Sequence, residues 1–367
     1  MTRARELAEL AAAYDSGGLS NMKNRIINGN MVIDQRNAGA AVTVADAFVV
    51  DRWRIYHQSG SGSKGNSQQN AGSVTPPAGF VNYIGFTTTS AYSVGASDGY
   101  GFQQRIEGFN VADLGWGTAN AQAVTISFWV RSSLTGSFGG SLTNGSGRSY
   151  PFSYTISSAN TWEQKTLTVP GDTSGTWPTN NSAAILLTFG LGVGSNWSGT
   201  AGAWTASTLW SATGATSVVG TNGATFYITG VQLEKGSTAT SFDYRPYGTE
   251  LQLCYRYYYR NKASNTSSYF GVGLAYATTN VLIYSQFPVS MRTTPSALEQ
   301  TGTATDYRVM SNSGGGVTCS SAPTFNSAST EAASTTFTVA SGVTAGNASF
   351  SFSNAGANAY LAWSAEL

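Results

Sequence analysis

Residues 224–260 read ATFYITGVQLEKGSTATSFDYRPYGTELQLCYRYYYR, and this stretch contains the join between two parts of the chain. It begins as a strand, because Phe226, Ile228 and Val231 are apolar and Tyr, Thr and Gly lie between them. Lys235 and the glycine after it interrupt the pattern, and a polar segment rich in Ser and Thr follows. The patterning before and after the stretch is β-type, so the stretch separates two β-rich units.

Length and composition indicate the same organisation. The chain has 367 residues, of which 43 are glycine and 12% are aromatic. Glycine and asparagine supply turns, while Thr, Val, Tyr, Phe and Trp favour strands. Two domains are the usual expectation at this length, and one long β domain is the alternative. We predict an all-β fold, with a jelly-roll β-sandwich over residues 21–245, a second, smaller β-sandwich over residues 246–367, and a short α-helix within residues 1–20.

Strand patterns recur in both predicted domains. The clearest is at residues 124–131, where Ile126, Phe128 and Val130 recur at every second position, which indicates one buried face. A long surface loop is predicted for residues 58–79, which are rich in Ser, Gly, Asn and Gln. The other strands predicted for the first domain are 22–36, 47–56, 81–86, 100–106, 149–156, 162–169, 183–191 and 224–233. Those predicted for the second are 268–276, 281–287, 303–310, 335–339, 348–352 and 359–366.

One helix pattern occurs, TRARELAELAAAY at residues 2–14. Leu7, Leu10 and Tyr14 form an apolar stripe at spacings of three and four residues. A helix of about 13 residues is marginal on its own in water. Two interpretations stay open: a solvated tail, or a helix that joins protomers to one another or to a larger assembly.

The charge pattern excludes several function classes. Only 10% of the residues are charged and the formal net charge is +1, so the chain has neither a broad basic surface for nucleic acid nor an acidic field. No apolar run approaches the length of about 18 residues that a membrane helix needs, and the start lacks a secretory signal pattern. Low charge combined with abundant apolar surface favours an oligomer or a closed sandwich.

Catalytic and metal-binding patterns are absent from the sequence. Cys254 and Cys319 are the two cysteines and His57 is the one histidine, so we expect two reduced, buried thiols and no zinc site. The GLGVGS run at residues 190–195 lacks the following helix that a nucleotide loop requires. The 18 acidic residues are scattered. We expect no enzyme, although two acids facing one cleft would indicate a glycosidase.

Tryptophans in polar loops are the main candidate for function. Residues 171–217 are rich in Gly, Ser, Thr and Asn, a setting in which flat aromatic faces can stack on sugar rings while amides bind the hydroxyl groups. The alternative is that the indoles hold long loops on the sandwich or fill a protomer interface. The glycan-binding candidates are Trp177, Trp197, Trp204, Trp210, Asn180, Asn181, Asn196 and, more weakly, Tyr269 and Tyr276.

A tyrosine run follows the join between the domains. Alternation predicts Tyr255, Tyr257 and Tyr259 on one face of a strand, with Arg256 and Tyr258 on the other. Base stacking on such a surface is conceivable, but the low charge of the chain argues against it. We expect the run to pack between the two domains.

Several segments carry a resemblance to a known family. The chain resembles tail-fibre, tail-spike and related virion proteins of tailed bacteriophages, and the resemblance covers nearly everything after residue 21. The matching segments are VQLEKG (231–236), ATSFDYRPYGTELQLCYRYY (239–258), RIINGNMVIDQRNAG (25–39), FVVDRW (48–53), VTISFWVRSS (124–133), TWEQKTLTVPGDTSGTW (161–177) and YLAWSAEL (360–367).

The resemblance implies a virion structural protein, made in the host cytoplasm without a signal peptide and assembled as a homotrimer with other virion proteins. Its expected role is that of a fibre or receptor-binding protein that contacts a host cell-surface glycan. The β pattern is also similar to that of the carbohydrate-binding jelly rolls that accompany glycosidases. The start of the chain resembles that of phage fibre proteins, which favours an attachment or oligomerisation role for Leu7, Leu10 and Tyr14.

Two alternative functions and one ion remain open. A purely architectural capsid decoration or head-fibre protein would use its aromatic residues in interfaces alone. A glycan depolymerase would need a convergent acid pair, and the long β-helix repeats common in such spikes are absent. No cofactor is expected, although sandwiches of this class often hold a structural calcium ion. Its candidate ligands are Asn28, Asn30, Asp34 and Glu234.

Overall fold

A computed structural model describes residues 22–58, 62–310, 315–354 and 358–367. The predicted N-terminal helix, with Leu7, Leu10 and Tyr14, lies outside these residues. The chain divides after Glu250 into two compact units, of which the second spans Leu251–Glu366.

The first unit is built on two antiparallel sheets. A six-stranded sheet has the order β1-β2-β5-β10-β7-β8, and a five-stranded sheet has the order β3-β4-β13-β6-β9; β11 and β12 form a separate parallel pair. The strands are β1 (Ala47–Val50), β2 (Trp53–Gln58), β3 (Gly65–Gln69), β4 (Ile84–Thr88), β5 (Gly99–Glu107), β6 (Val124–Ser132), β7 (Gly136–Thr143), β8 (Ser149–Ile156), β9 (Glu163–Val169), β10 (Ala183–Val193), β11 (Ser198–Gly199), β12 (Ser211–Ala212) and β13 (Thr225–Lys235).

Aromatic side chains join the two sheets face to face. Phe128 of β6 lies with its ring centroid 4.9 Å from that of Phe189 on β10, in an edge-to-face arrangement. Phe102 of β5 and Phe226 of β13 meet at 6.4 Å. These rings belong to one buried apolar cluster that takes residues from both sheets. The prediction of an all-β, jelly-roll sandwich is confirmed.

The strand predicted over residues 22–36 is wrong. The segment is a series of bends and turns, in which Asn28 and Met31 have positive φ angles of 57° and 59°. Asn28 Nδ2 donates to the carbonyls of Ile33 and Asp51 (2.8 and 2.9 Å), while its Oδ1 accepts the Ile33 N–H at 3.0 Å. The Asn28 side chain thus makes the hydrogen bonds that these backbone groups would make to a neighbouring strand if the segment were part of a sheet.

Two further segments differ from prediction. Residues 47–56 contain a hairpin rather than one strand, because the chain turns at Arg52, whose φ is 70°. The predicted loop at 58–79 contains β3, which pairs with β4 over five residues. The sequence of β3, GNSQQ, has no apolar alternation, so its pairing is not visible in the residue pattern.

A buried polar network fixes the segment after residue 22. Arg245 Nη1 donates to both carboxylate oxygens of Glu250, at 3.1 and 3.2 Å, and Glu250 also accepts the N–H of Asn28. Arg245 donates further to the carbonyls of Ile26 (3.2 Å) and Asn24. The segments 25–39 and 239–258, which both carry the resemblance, therefore pack against each other. Their charged residues Arg245 and Glu250 stabilise this packing.

The second unit has a three-stranded sheet of order β14-β23-β17 and a seven-stranded sheet of order β19-β18-β22-β15-β16-β21-β20. Its apolar core contains Trp363, Ile283 and Phe337, as expected for the predicted smaller β-sandwich. Its strands are β14 (Tyr258–Lys262), β15 (Tyr269–Ala275), β16 (Asn280–Gln286), β17 (Glu299–Gln300), β18 (Tyr307–Met310), β19 (Val317–Thr318), β20 (Thr324–Ala328), β21 (Ala332–Thr338), β22 (Ala348–Ser353) and β23 (Tyr360–Ser364).

The tyrosine run does not form the alternating strand predicted for it. Helix α1 (Tyr247–Tyr255) occupies its beginning, and β14 starts only at Tyr258. Tyr257 and Tyr258 are both buried, and Tyr259 lies parallel to Trp363 at 6.1 Å within the second unit. Cys254 and Cys319 are both buried and neither forms a disulfide, as predicted. In the described ranges, no helix has the length and apolar character needed to cross a membrane.

Candidate functional site

A row of polar residues crosses the face of the six-stranded sheet that points away from the apolar core, and three of its members, Gln103, Thr188 and Ser141, are buried. Arg54 of β2 is directly opposite Gln103 of β5, Gln103 is opposite Thr188 of β10, and Thr188 is opposite Ser141 of β7. Their strand neighbours, such as Phe102 and Phe189, point into the core, so the four polar side chains lie on the other face.

Gln103 is the centre of this row. Its Oε1 accepts hydrogen bonds from Arg54 Nη2 at 2.6 Å and Nε at 3.2 Å, and its Nε2 donates to Thr188 Oγ1 at 3.1 Å. Arg105 Nε approaches the same Oε1 at 3.4 Å. Burial lowers the pKa of Arg105 below the usual guanidinium value, because loss of water disfavours the charged form. Within the described residues, the buried Ser141 Oγ has no hydrogen-bond partner.

Aromatic rings continue the row beyond Arg54. The Arg54 guanidinium lies over the Tyr56 ring at 4.4 Å, and Tyr56 meets Trp210 edge to face at 4.9 Å. Trp210 is stacked on Trp197 at 5.0 Å, with the planes 16° from parallel. Trp210 is buried, whereas Trp197, Tyr56 and Arg54 are partly exposed. We call Trp197, Trp210, Tyr56, Arg54 and Gln103 the stacked row.

The loop that carries the two tryptophans lies flat on the sheet because glycines beneath it lack side chains. A Cβ on Gly99 of β5 would lie 2.4 Å from the Trp210 ring, and one on Gly139 of β7 would lie 2.3 Å from Ser211 Oγ. Trp210 N–H donates to the Trp197 carbonyl at 2.7 Å. These close approaches fix the position of both indoles over the strands.

Hydrogen bonds to the segment before β5 hold Trp197 and its neighbour. Trp197 Nε1 donates to the Ser97 carbonyl at 3.0 Å, and Asn196 Nδ2 donates to Ser97 Oγ at 2.9 Å. Asn196 is exposed beside the indole. The structure thus brings together three of the residues predicted from sequence: Asn196, Trp197 and Trp210.

Sequence reasoning missed Arg54, Tyr56 and Gln103. The alternation in β2 does place Arg54 and Tyr56 on the face opposite Trp53 and Ile55, so a partly polar face could be predicted. The pairing of β2 with β5, 49 residues further along the chain, could not.

The other two candidate tryptophans, Trp177 and Trp204, form a separate cluster with Trp116 and Tyr150. Trp177 lies 4.7 Å from Trp116 and 5.5 Å from Trp204, and Trp204 lies 5.3 Å from Tyr150. The indole N–H groups of Trp116, Trp177 and Trp204 donate to backbone carbonyls at 2.7, 3.2 and 2.7 Å. Trp116 and Trp177 are buried in the apolar core, and Trp204 packs against it. These contacts hold three loops on the sandwich.

A cavity of about 180 Å³ adjoins this cluster. Trp116 and Trp177 line it together with the hydroxyl-bearing residues Thr118 and Thr179 and with apolar side chains of the surrounding loops. Nearby, Asn180 is exposed and its Oδ1 accepts the Ser182 N–H at 3.0 Å. Asn181 is partly exposed in the same loop.

The other tyrosine candidates lie in the second unit, away from both clusters in sequence. Tyr269 begins β15, and its ring meets Phe350 at 5.3 Å. Tyr276 follows the same strand, and its N–H donates to the Asn280 carbonyl at 3.1 Å. Both rings are more than half exposed. They belong to an apolar sheet face rather than to a cleft with polar side chains.

Two acids of the second unit line one open pocket of about 340 Å³. Glu299 and Glu366 share it with several Thr and Ser residues. Glu299 is exposed, and its Oε2 accepts the Tyr258 hydroxyl at 2.8 Å. A glycosidase needs two carboxyl groups about 5 to 10 Å apart, and these two acids line the same pocket.

The predicted calcium ligands are engaged by the chain itself. Both carboxylate oxygens of Asp34 accept backbone N–H groups of the following turn, at 2.8 and 2.7 Å. Glu234 accepts from Thr240 at 2.9 and 2.7 Å, and Asn28 binds the backbone as described above. Asn30 Oδ1 is buried without a partner. In the described parts of the chain, no three His, Cys, Asp or Glu side chains group as a metal site. Asp34, Glu234 and Asn28 therefore have partners within the chain, and a calcium ion at these residues stays a prediction.

No protein-family model and no curated protein sequence matches the chain. Solved structures do show similarity. One is the enzymatically active domain of bacteriophage CBA120 tailspike protein 4, at 11% identity and a TM-score of 0.32, covering 59% of this chain and 22% of that one. Another is a putative sugar binding protein from Bacteroides thetaiotaomicron, at 11% identity and a TM-score of 0.34, covering 58% and 99%.

A third similar structure is the family 11 carbohydrate-binding module from Clostridium thermocellum in complex with a mixed-linked tetrasaccharide, at 14% identity and a TM-score of 0.27. That comparison covers 55% of this chain and 100% of the module. The chain therefore spans less than a quarter of the tailspike but nearly all of the two smaller proteins.

Proposed function

We propose that the protein is a non-enzymatic component of a phage virion, a fibre or receptor-binding protein whose first unit binds a host-surface polysaccharide along the stacked row. The observation that carries this proposal is the continuity of the row. A partly exposed indole, Trp197, is backed by a second indole and leads through Tyr56 to the donors of Arg54, held in place by Gln103.

The chemistry of the row suits a sugar chain. The C–H face of a pyranose stacks on an indole, and Trp210 behind Trp197 holds that indole in one orientation. Arg54, the partly exposed guanidinium of the row, carries N–H donors in a planar group that matches vicinal hydroxyl or carboxylate oxygens. A polymer would contact the row at its partly exposed members, Trp197, Tyr56 and Arg54, while the buried Trp210 and Gln103 support them from beneath.

The assignment to a phage virion rests on the sequence resemblance. A receptor-binding protein meets a repeating polymer on the host surface, so several copies can engage the same polymer at once. Each site would bind weakly, and the copies of a homotrimer would supply avidity. The low charge of the chain, with a formal net charge of +1, fits a neutral or mixed glycan better than nucleic acid.

Affinity electrophoresis through gels that contain host polysaccharide tests this proposal. The wild type should be retarded, and Trp197→Ala should lose at least about tenfold in affinity, the equivalent of ~1.4 kcal/mol. Trp162→Ala is the matched control, because Trp162 is also partly exposed and its Nε1 also donates to a backbone carbonyl, that of Thr75, at 2.9 Å. Equal retardation of both variants would contradict the proposed site.

A glycan depolymerase is the second candidate, favoured by the shared pocket of Glu299 and Glu366. Incubation of the protein with the bound polysaccharide, followed by a reducing-end assay, separates the two. We expect no new reducing ends. Release of reducing ends by the wild type, and its loss in Glu299→Gln or Glu366→Gln, would establish the depolymerase. An architectural capsid protein would bind no glycan at all.

A further inference from the structure

The outer face of the seven-stranded sheet in the second unit is apolar and open. It exposes five large apolar side chains, each close to or above half of its full surface: Tyr269, Val272, Leu274, Tyr276 and Tyr284. We infer that this face, here called the open sheet face, binds a second copy of the same chain. The inference is independent of the glycan-binding proposal, which concerns the first unit.

Strand pairing makes the patch continuous. Val272 of β15 is directly opposite Phe350 of β22 on one side and Tyr284 of β16 on the other. Leu274 is opposite Leu282 in the next row of the same face. Residues directly opposite each other in a sheet lie in side-chain contact, so these apolar groups form one surface rather than isolated exposed residues.

The alternation of buried and exposed side chains along β16 shows that the patch is separate from the apolar core. Along β16, Val281 and Ile283 are fully buried in the apolar core, while Leu282 and Tyr284 point the other way. Strand β16 is therefore apolar on both faces of the sheet. An antiparallel sheet with only one covered face normally shows polar residues on the other, so the second apolar face indicates a second covering layer.

The size of the patch fits an interface between protein chains. With three half-exposed tyrosines, a valine and a leucine, the exposed apolar area is roughly 500 Å², given that a full aromatic side chain offers about 150–250 Å². Partly buried Leu282 and Phe350 add to it. A standard interface buries about 800 Å² per partner. Single exposed apolar residues need no explanation, but a continuous patch of this size marks an interaction site.

Charge identifies the partner as another copy. Among the seven strands of the sheet, the one charged side chain is Arg308. It lies over the Phe352 ring at 5.2 Å and donates to the Gly316 carbonyl at 2.8 Å. Arg308 lies towards the β18 side of this face, opposite Phe352, so the centre around Val272 and Leu274 carries no charge and two copies can meet there without like-charge repulsion.

The border of the patch also resembles the rim of an interface. Ser327, Ser334 and Asn326 on β20 and β21 bond to one another, with 2.8 Å between the two serine hydroxyls. An apolar centre with a hydroxyl-rich border is the usual anatomy of a chain–chain contact. Val272 and Leu274 provide no ring face and no hydrogen bond, so the centre of the patch does not suit a polysaccharide.

Sedimentation velocity of the full chain across a dilution series tests the inference. The wild type should self-associate, and Val272→Lys should weaken the association at least about thirtyfold, as expected for a charge placed at the centre of an interface. Val81→Lys is the matched control, because Val81 in the first unit is 71% exposed and Val272 is 67% exposed. Thermal unfolding of each variant checks that both remain folded.

Two results would overturn the inference: a wild type that stays monomeric at every concentration, or self-association that Val272→Lys and Tyr284→Lys leave unchanged in folded protein. Binding of host polysaccharide by the wild type that Val272→Lys abolishes while leaving self-association intact would instead assign the face to a glycan. Loss of glycan binding in Trp197→Ala with unchanged self-association would show that the two surfaces act separately.

Discussion

Arg54 and Gln103 face each other across neighbouring strands, and one carbonyl oxygen of Gln103 accepts two hydrogen bonds from the Arg54 guanidinium, at 2.6 and 3.2 Å. Arg105 approaches the same oxygen at 3.4 Å. A neutral amide thus sets the direction in which two cationic groups point. Because Gln103 is itself bound to Thr188, the guanidinium groups are held on the sheet before a ligand arrives.

Gln103→Ala should weaken polysaccharide binding and cost stability. Removal of the amide leaves Arg54 and Arg105 without this acceptor, and the loss of hydrogen bonds to charged groups costs about 1.5–3 kcal/mol. Isothermal titration with the polysaccharide should show at least a tenfold weaker affinity. Gln164→Ala, on the exposed outer surface of β9, is the control and should change neither property. Unchanged affinity in folded Gln103→Ala would remove this residue from the site.

Glu250→Ala should destabilise the first unit strongly. The carboxylate is buried and binds Arg245 as well as the N–H of Asn28, so the substitution removes the closer of the two carboxylates paired with a buried guanidinium and leaves Asp243 at 4.0 Å. Breaking such a pair costs about 3–5 kcal/mol. Urea unfolding should show a clear loss for Glu250→Ala. Asp113→Ala, which breaks partly exposed pairs with Arg25 and Lys235, should cost less than about 1 kcal/mol. Equal effects would contradict the structural role of the motif around Arg245.

The Cys319 thiol should be inert in the folded protein. Burial raises the pKa of Cys319 from its ordinary value of 9.0 to about 12. Because the folded state keeps the proton while the unfolded thiol loses it, this group's contribution to stability is full below about pH 8.5 and declines towards pH 12. A thiol reagent at pH 8 should label Cys319 only in urea. Rapid labelling without denaturant, located by peptide mass, would show that the thiol is accessible.

Strands are predicted well from the sequence where one face is apolar. The prediction fails where polar side chains, instead of a neighbouring strand, bind the backbone. The alternation in β6 and β13 is plain, and both strands lie close to the predicted ranges. The segment at 22–36 carries the apolar residues of a strand, and Ile26 and Met31 are indeed buried. Its asparagines bind the backbone instead, which no hydrophobic pattern reveals.

The candidate site shows the same division. Trp197 and Trp210 stand out as tryptophans in a polar loop, and the structure stacks them. Arg54, Tyr56 and Gln103 lie in strands and have no distinctive sequence pattern. Their place in the site depends on the pairing of β2 with β5. Periodicity indicates which face of a strand is polar, but the register between distant strands is set by tertiary packing. This part of the site therefore could not be predicted, because its residues come from strands that are far apart in sequence.

The most direct test of the account is binding of the purified protein to an array of bacterial surface polysaccharides, with Trp197→Ala and Trp204→Ala as a matched pair. Both indoles are partly exposed and both donate to a backbone carbonyl, but only Trp197 belongs to the stacked row. We predict binding by the wild type and by Trp204→Ala, and a loss of at least about tenfold for Trp197→Ala. No binding by folded wild type, or loss through Trp204→Ala alone, would contradict the account.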